Sequence, residues 1–327
     1  MELGKYSDMD LLEKVVVHTP TTTSIDSVKE NPEKHLFNEI PDKKRFLEEK
    51  TMFTDILKDN GVDVLHLTEL LMRAEKDLDD KLIDEIVNLM YVRDIGTVIL
   101  DYLVRCSMSE RLRQKEEEIF DFLIKHQGLN RDYEVLRPVK PIEGGDIFIP
   151  RYNTMIVGNS LRTSEQGIIE LGEGLVDSSI DKIIMLNVPR EDSAIHLDMV
   201  FSQLEKNLFM VDKRFSKNME CFLIEVCSDG PKMRKNKKSI DEILKEELGR
   251  DVEVLKVDER KEQKMCGFNV LPIESSKVIA FQENRNINRL IRNMGIEVIE
   301  VMGRELMKGN GGPRCMTLPL KRNRGSR

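Results

Sequence analysis

Cysteine is sparse: Cys106, Cys221, Cys227, Cys266 and Cys315 are scattered over 327 residues with no Cys-x-x-Cys pair. An odd, dispersed set in a long chain is not a disulfide framework. With no His/Cys group at ligand spacing, a structural zinc site is not expected either. No stretch approaches the roughly 20 apolar residues that cross a bilayer. The opening residues to Lys14 are polar and lack the apolar centre of a secretory signal, so a cytoplasmic protein away from membranes is expected. No Gly-x-Gly-x-x-Gly follows a strand, which argues against a dinucleotide site. Basic residues are not in excess: 51 Lys and Arg face 59 Asp and Glu, for a net charge of -8. Nucleic acid is therefore not an expected partner, because phosphate contacts need clustered cations. What the chain does have is 40% hydrophobic residues, enough for a sizeable core.

Short Val- and Ile-rich runs recur and read as strands: Val15–Val17, Val62–Leu67, Val98–Leu100, Met155–Val157 and Ile183–Leu186, then Cys221–Val226, Val252–Val257, Lys277–Phe281 and Glu297–Val301. Helices are expected between them. One opens at Pro41 in its first turn, carries Phe46, Phe53, Ile56 and Leu57 as its stripe, and closes at Gly61. A second runs from Arg113 to Lys125. Capping-box spacing at Thr163–Gln166 and Ser239–Glu242 predicts helices over 164–178 and 240–248. The result is an α/β chain with no dividing linker. Pro231–Lys238, with five basic residues, is expected to be a solvated loop, and the tail after Leu320 a frayed end.

Four stretches hold residues that carry chemistry: Asn88–Asp94, ending in a carboxylate at a strand entry; Glu143-Gly-Gly-Asp146, a tight turn between acids; His196-Leu-Asp198, with both side chains on one face of a presumed strand; and Gly309-Asn-Gly-Gly-Pro-Arg-Cys315, a glycine-rich loop before a thiol. Alone, each has an ordinary structural reading. Together, a cysteine, a histidine and several carboxylates form the minimum set for thiolate attack with a general acid/base. The carboxylates suit a cationic substrate, and a planar guanidinium presents donors that two Asp side chains accept.

The chain resembles the arginine deiminases, within the guanidino-modifying superfamily that includes amidinotransferases, dimethylarginine hydrolases and arginine dihydrolases. The matching pieces are His35-Leu-Phe-Asn-Glu-Ile-Pro41 with Lys44-Arg45, Tyr-Val-Arg-Asp94, Ile142-Glu-Gly-Gly-Asp146, Ile195-His-Leu-Asp-Met-Val-Phe201 and Gly311-Gly-Pro-Arg-Cys-Met316, in the family order. The resemblance implies a pseudo-fivefold α/β propeller (pentein) of repeated ββαβ modules, forming one catalytic domain over residues 1–327. It implies Cys315 as nucleophile, His196 as general acid/base with Glu143 as its partner, and Asp94 and Asp198 as the pair gripping the guanidinium. Asn88 matches a substrate-positioning Asn, and Arg162 the Arg that holds the substrate carboxylate. Arg113 fits a second such Arg, with Arg111 close enough to compete. Asn310 stands near the site where many deiminases carry an Arg.

On this resemblance L-arginine is hydrolysed to citrulline and ammonia through a covalent Cys amidino intermediate, with no metal or organic cofactor, in a homo-oligomer. Two departures keep other outcomes open. The stretch from Leu70 to Asp94 is too short for the helical bundle that bacterial deiminases insert there, and the Asn310 loop resembles the dihydrolase branch. The alternatives are an arginine dihydrolase releasing ornithine, carbon dioxide and two ammonia, an amidinotransferase, and a non-catalytic binding protein on the same fold.

Overall fold

The computed structural model describes residues 2–72, 86–217 and 219–323. The region in which an inserted bundle was expected to be missing falls largely on residues 73–85, outside the described residues.

Among the described residues, the strands form five sheets that repeat one local plan: an antiparallel strand pair, a helix, and a third strand parallel to the middle one. Strand β1 (Leu11–Val17) is followed by helix α1 (Lys43–Asp59) and β2 (Asp63–His66), parallel to β1. Hairpin β3 (Gly96–Ile99) and β4 (Tyr102–Arg105) leads through α2 (Lys115–His126) to β5 (Val135–Leu136). Strands β6 (Ile147–Arg151) and β7 (Thr154–Asn159) lead through α3 (Glu165–Gly174) to β8 (Lys182–Asn187). Strands β9 (Phe201–Glu205) and β10 (Leu208–Asp212) precede a hairpin, β11 (Cys221–Glu225) and β12 (Lys232–Asn236), that extends the β8 sheet. The fourth plan then resumes through α4 (Ile240–Leu248) to β13 (Glu253–Val257), parallel to β10. Strands β14 (Leu271–Glu274) and β15 (Lys277–Phe281) lead through α5 (Arg285–Asn293) to β16 (Glu297–Val301). The last strand, β17 (Leu318–Asn323), pairs antiparallel with β1 and completes the first sheet from the far end of the chain.

Local chemistry explains the boundaries. Asp42 caps α1 by accepting the Arg45 N–H at 2.9 Å, so Pro41 lies just before the cap rather than inside the first turn. Phe46, Phe53 and Leu57 are fully buried along its inner face, and Gly61, at φ 79°, turns the chain away. Ser239 and Glu242 form the expected capping box on α4. On α3 the cap is Ser164, because Thr163 Oγ1 is engaged by the Glu143 N–H at 3.0 Å. The presumed loop at 231–238 is the exposed edge strand β12, where lysines discourage further pairing. The presumed frayed tail is ordered through Asn323: Arg322 is buried, donating to the carbonyls of Asp10 (2.7 Å) and Pro272 (2.6 Å). Among the described residues no helix is long and apolar enough to cross a membrane.

Candidate active site

The four stretches converge at turns between the sheets. Asn88 lies in the turn Val87–Met90 and Asp94 in the single helical turn Val92–Ile95, which leads directly into β3. The Arg93 N–H donates to the Cys315 carbonyl at 3.1 Å, tying that turn to the loop that carries the thiol. Glu143 is extended, and Gly144–Asp146 form a turn. Neither Gly144 nor Gly145 has a positive φ. They are needed for closeness: a Cβ on Gly144 would collide with the Arg93 carbonyl, and one on Gly145 would press the His196 ring and Asp94 Oδ1. His196 is not on a strand. Its neighbours Leu197–Met199 form a turn because Asp146 Oδ1 takes the Leu197 N–H at 2.7 Å, and β9 starts only at Phe201.

A cavity of about 260 Å³ is lined by Asn88, Asp94, Arg113, Arg162, His196, Asn310 and Cys315. Glu143 and Asp198, both fully buried, stand behind its wall. His196 Nε2 lies 2.8 Å from Glu143 Oε2, and Nδ1 is 4.0 Å from Asp94 Oδ1. Burial alone would depress the imidazole pKa, but Asp94 and Glu143 outweigh it and raise it to about 9. His196 is therefore an imidazolium at neutral pH. The Cys315 thiol is also shifted upward, which favours its neutral form: burial first, then the Asp198 and Asp94 carboxylates, push it well above its ordinary value. Asp94 is held below its usual range because His196 and Arg113 overcome the effect of its burial.

The two guanidinium-gripping candidates are built alike. Asp94 Oδ2 accepts from Arg113 Nη1 at 2.7 Å, and Asp198 Oδ2 from Arg314 Nη1 at 2.8 Å. The other oxygen of each, Asp94 Oδ1 and Asp198 Oδ1, is buried with no hydrogen-bond partner among the described residues. Such acceptors are costly unless a donor reaches them.

Of the remaining expected residues, Asn88 Nδ2 donates to the His35 carbonyl at 3.0 Å, and Arg162 pairs with Glu110 at 3.3 Å. Arg113 is buried on the cavity wall whereas Arg111 is exposed. Its guanidinium faces Asp94, Glu116 (2.9 Å) and Glu143 (3.9 Å) rather than an open mouth. Asn310 adopts a left-handed conformation at φ 70°, its Oδ1 accepting from Asn38 Nδ2 at 3.1 Å. Asp94, Glu143 and His196 offer ligand atoms within 4.8 Å of one another. The Arg113 guanidinium and the protonated His196 already place positive charge in that cluster, which disfavours a metal ion.

Sequence reasoning missed Asn269, which accepts the Cys315 N–H on Oδ1 and donates to Cys315 Sγ from Nδ2, both at 3.0 Å. Its one signal is a fully buried amide inside the apolar run Phe268–Leu271. It also missed Glu116, which holds Arg113, and Asp146, which shapes the His196 turn.

A sequence model described as arginine deiminase matches residues 71–322, most of the chain. The chain belongs to the arginine deiminase family. This is a family of hydrolases that act on the carbon–nitrogen bonds of linear amidines. The chain is 27% identical to the arginine deiminase of Mycoplasma capricolum subsp. capricolum over 394 aligned positions, covering 98% of this chain and 97% of that one. The alignment is longer than the chain, so the relative carries segments absent here. Identity to the arginine deiminase of Bacillus cereus is 32%, over 79% of this chain and 66% of that protein. Solved structures share the fold. The N-terminal domain of ArgZ, described as an arginine dihydrolase from cyanobacteria, superposes with TM-score 0.68 at 15% identity over 95% of this chain and 98% of its own. A dimethylarginine dimethylaminohydrolase from Pseudomonas aeruginosa, bound to citrulline, gives 0.65 at 19% over 94% and 99%. SxtG, an amidinotransferase from Microseira wollei, gives 0.68 at 16% over 99% and 98%.

Proposed function

We propose that this arginine deiminase family member hydrolyses L-arginine to citrulline and ammonia. The observation that carries the reading is the pair of buried, unpartnered carboxylate oxygens, Asp94 Oδ1 and Asp198 Oδ1, at a cysteine and a protonated histidine. A guanidinium supplies planar donors to both. Its charge also offsets the two carboxylates that suppress Cys315 ionisation, so the thiol releases its proton to solvent and the thiolate forms as the substrate binds.

Cys315 Sγ then forms a bond to the guanidinium carbon. His196 gives its proton to the terminal nitrogen, and ammonia leaves while the rest of the arginine stays on sulfur as an S-alkylthiouronium. The now neutral His196 takes a proton from water as its oxygen adds to the same carbon; the C–S bond then breaks, the adduct's hydroxyl proton passing to the departing sulfur, to release citrulline and the Cys315 thiol. Glu143 fixes the ring and favours its charged form. Arg162 takes the substrate carboxylate, exchanging it for Glu110. Asn88 and Asn310 flank the substrate on the cavity wall. Arg113, shared among three carboxylates, is better suited to fixing Asp94 than to holding the substrate. We also infer that the five sheets surround this site as a pseudo-fivefold propeller in one catalytic unit, since residues from Asn88 to Cys315 meet in one cavity.

Product analysis with L-arginine tests the reading. Citrulline with one equivalent of ammonia is expected. Ornithine with two ammonia would replace it with dihydrolysis, and no consumption of arginine would remove arginine as the substrate.

A further inference from the structure

We propose that Asn269 is a further catalytic residue, whose side-chain amide holds the Cys315 sulfur and favours its anionic form. The inference rests on the reading of Cys315 as the attacking group. The orientation of the amide follows from hydrogen-bond chemistry. The Cys315 N–H is a donor only, and it points at Asn269 at 3.0 Å, so the oxygen must face it. The NH₂ group then faces Sγ at 3.0 Å and donates to it. A donor on sulfur stabilises the thiolate over the thiol. Every carboxylate near that sulfur works against it: Asp198 Oδ2 lies 3.5 Å away and Asp94 adds its charge. The Gly312 backbone N–H is the other favourable dipole.

Asn269 is itself held in place. Its N–H donates to the Cys266 carbonyl at 3.0 Å, with Cys266 left-handed at φ 61°, and its carbonyl accepts the Arg314 N–H at 3.4 Å. Backbone and side chain of this one residue thus receive two successive N–H groups of the nucleophile loop. The contact is close enough that a Cβ on Gly312 would press the Asn269 side chain, which accounts for the second glycine before Cys315.

The test is alkylation of Cys315 by iodoacetamide, followed by peptide mass spectrometry at a pH where thiolate is the minor form and the rate tracks its population. The half-buried Cys227 in the same digest is the internal control. Asn269→Asp keeps an oxygen for the Cys315 N–H and loses the donor, in a side chain of the same shape. Asn269→Ala removes both contacts. Labelling of Cys315 is expected to slow about tenfold, equivalent to one pKa unit, in both variants while Cys227 is unchanged. If Asn269→Ala does not fold, the uncharged Asn269→Leu replaces it, because the added carboxylate of Asn269→Asp slows labelling by its own charge. Labelling of Cys315 at the wild-type rate or faster in the uncharged variant overturns the proposal. Alkylation needs no arginine turnover, so a failure to make citrulline would refute the substrate reading without touching this one.

Discussion

Arg113 Nη1 donates to Asp94 Oδ2 at 2.7 Å, so a guanidinium of the protein occupies one oxygen of a carboxylate whose other oxygen has no hydrogen-bond partner among the described residues. Arg314 does the same to Asp198. Each arginine fixes its Asp rotamer and leaves Oδ1 as the free acceptor. On the proposed reading, these two oxygens receive the substrate guanidinium.

Removing Arg113 strips the counter-charge from Asp94, Glu116 and Glu143, all buried. Arg113→Ala should lower folding stability by about 3–5 kcal/mol, the usual consequence of leaving a buried ion-pair network half intact. Urea melts at neutral pH check this, and a loss below about 1 kcal/mol would mean that the network contributes little.

The histidine sets the alkaline limit. With His196 raised to about 9, kcat/KM should fall as pH passes that value, because the proton donor is lost. Glu143→Gln removes one cause of the shift and should move this limb downward by about one unit or more. Stability follows the same sign. The contribution of a raised histidine is full below 6.5 and fades as pH rises through about 9. The Glu143→Gln variant should therefore lose more stability at pH 6 than at pH 9.5.

Arg162 is expected to act on binding more than on chemistry. Arg162→Ala should raise KM by about tenfold or more, the scale of one lost charge-assisted contact, with a smaller change in kcat. Glu110→Gln frees Arg162 from its resting partner and should lower KM. An unchanged KM in both variants would place the substrate carboxylate elsewhere.

Much of this was legible in sequence because it is local. The β-branched runs at Val15–Val17 and Lys277–Phe281 lie in strands, and Ser239 with Glu242 forms the box its spacing predicts. The motif residues Asp94, Glu143, His196, Asp198 and Cys315 lie together around one cavity. What stayed hidden depends on partners far along the chain. The strand at 318–323 exists because β1 lies beside it, and the turn after His196 exists because Asp146 captures its backbone. Asn269 carries no motif. Its role is visible only once the Cys315 loop folds onto it. The glycines at 144 and 145 were legible as a turn, but their reason is the nearness of Arg93 and His196.

The most direct test of the central claim is the mass of Cys315 peptides from enzyme quenched in acid during turnover of L-arginine. Departure of ammonia first predicts an adduct on Cys315 equal to arginine less one ammonia. An adduct carrying the amidino group alone would mean that ornithine leaves first, as in amidino transfer. Steady turnover with Cys315 unmodified, or preserved in Cys315→Ala, would contradict the account.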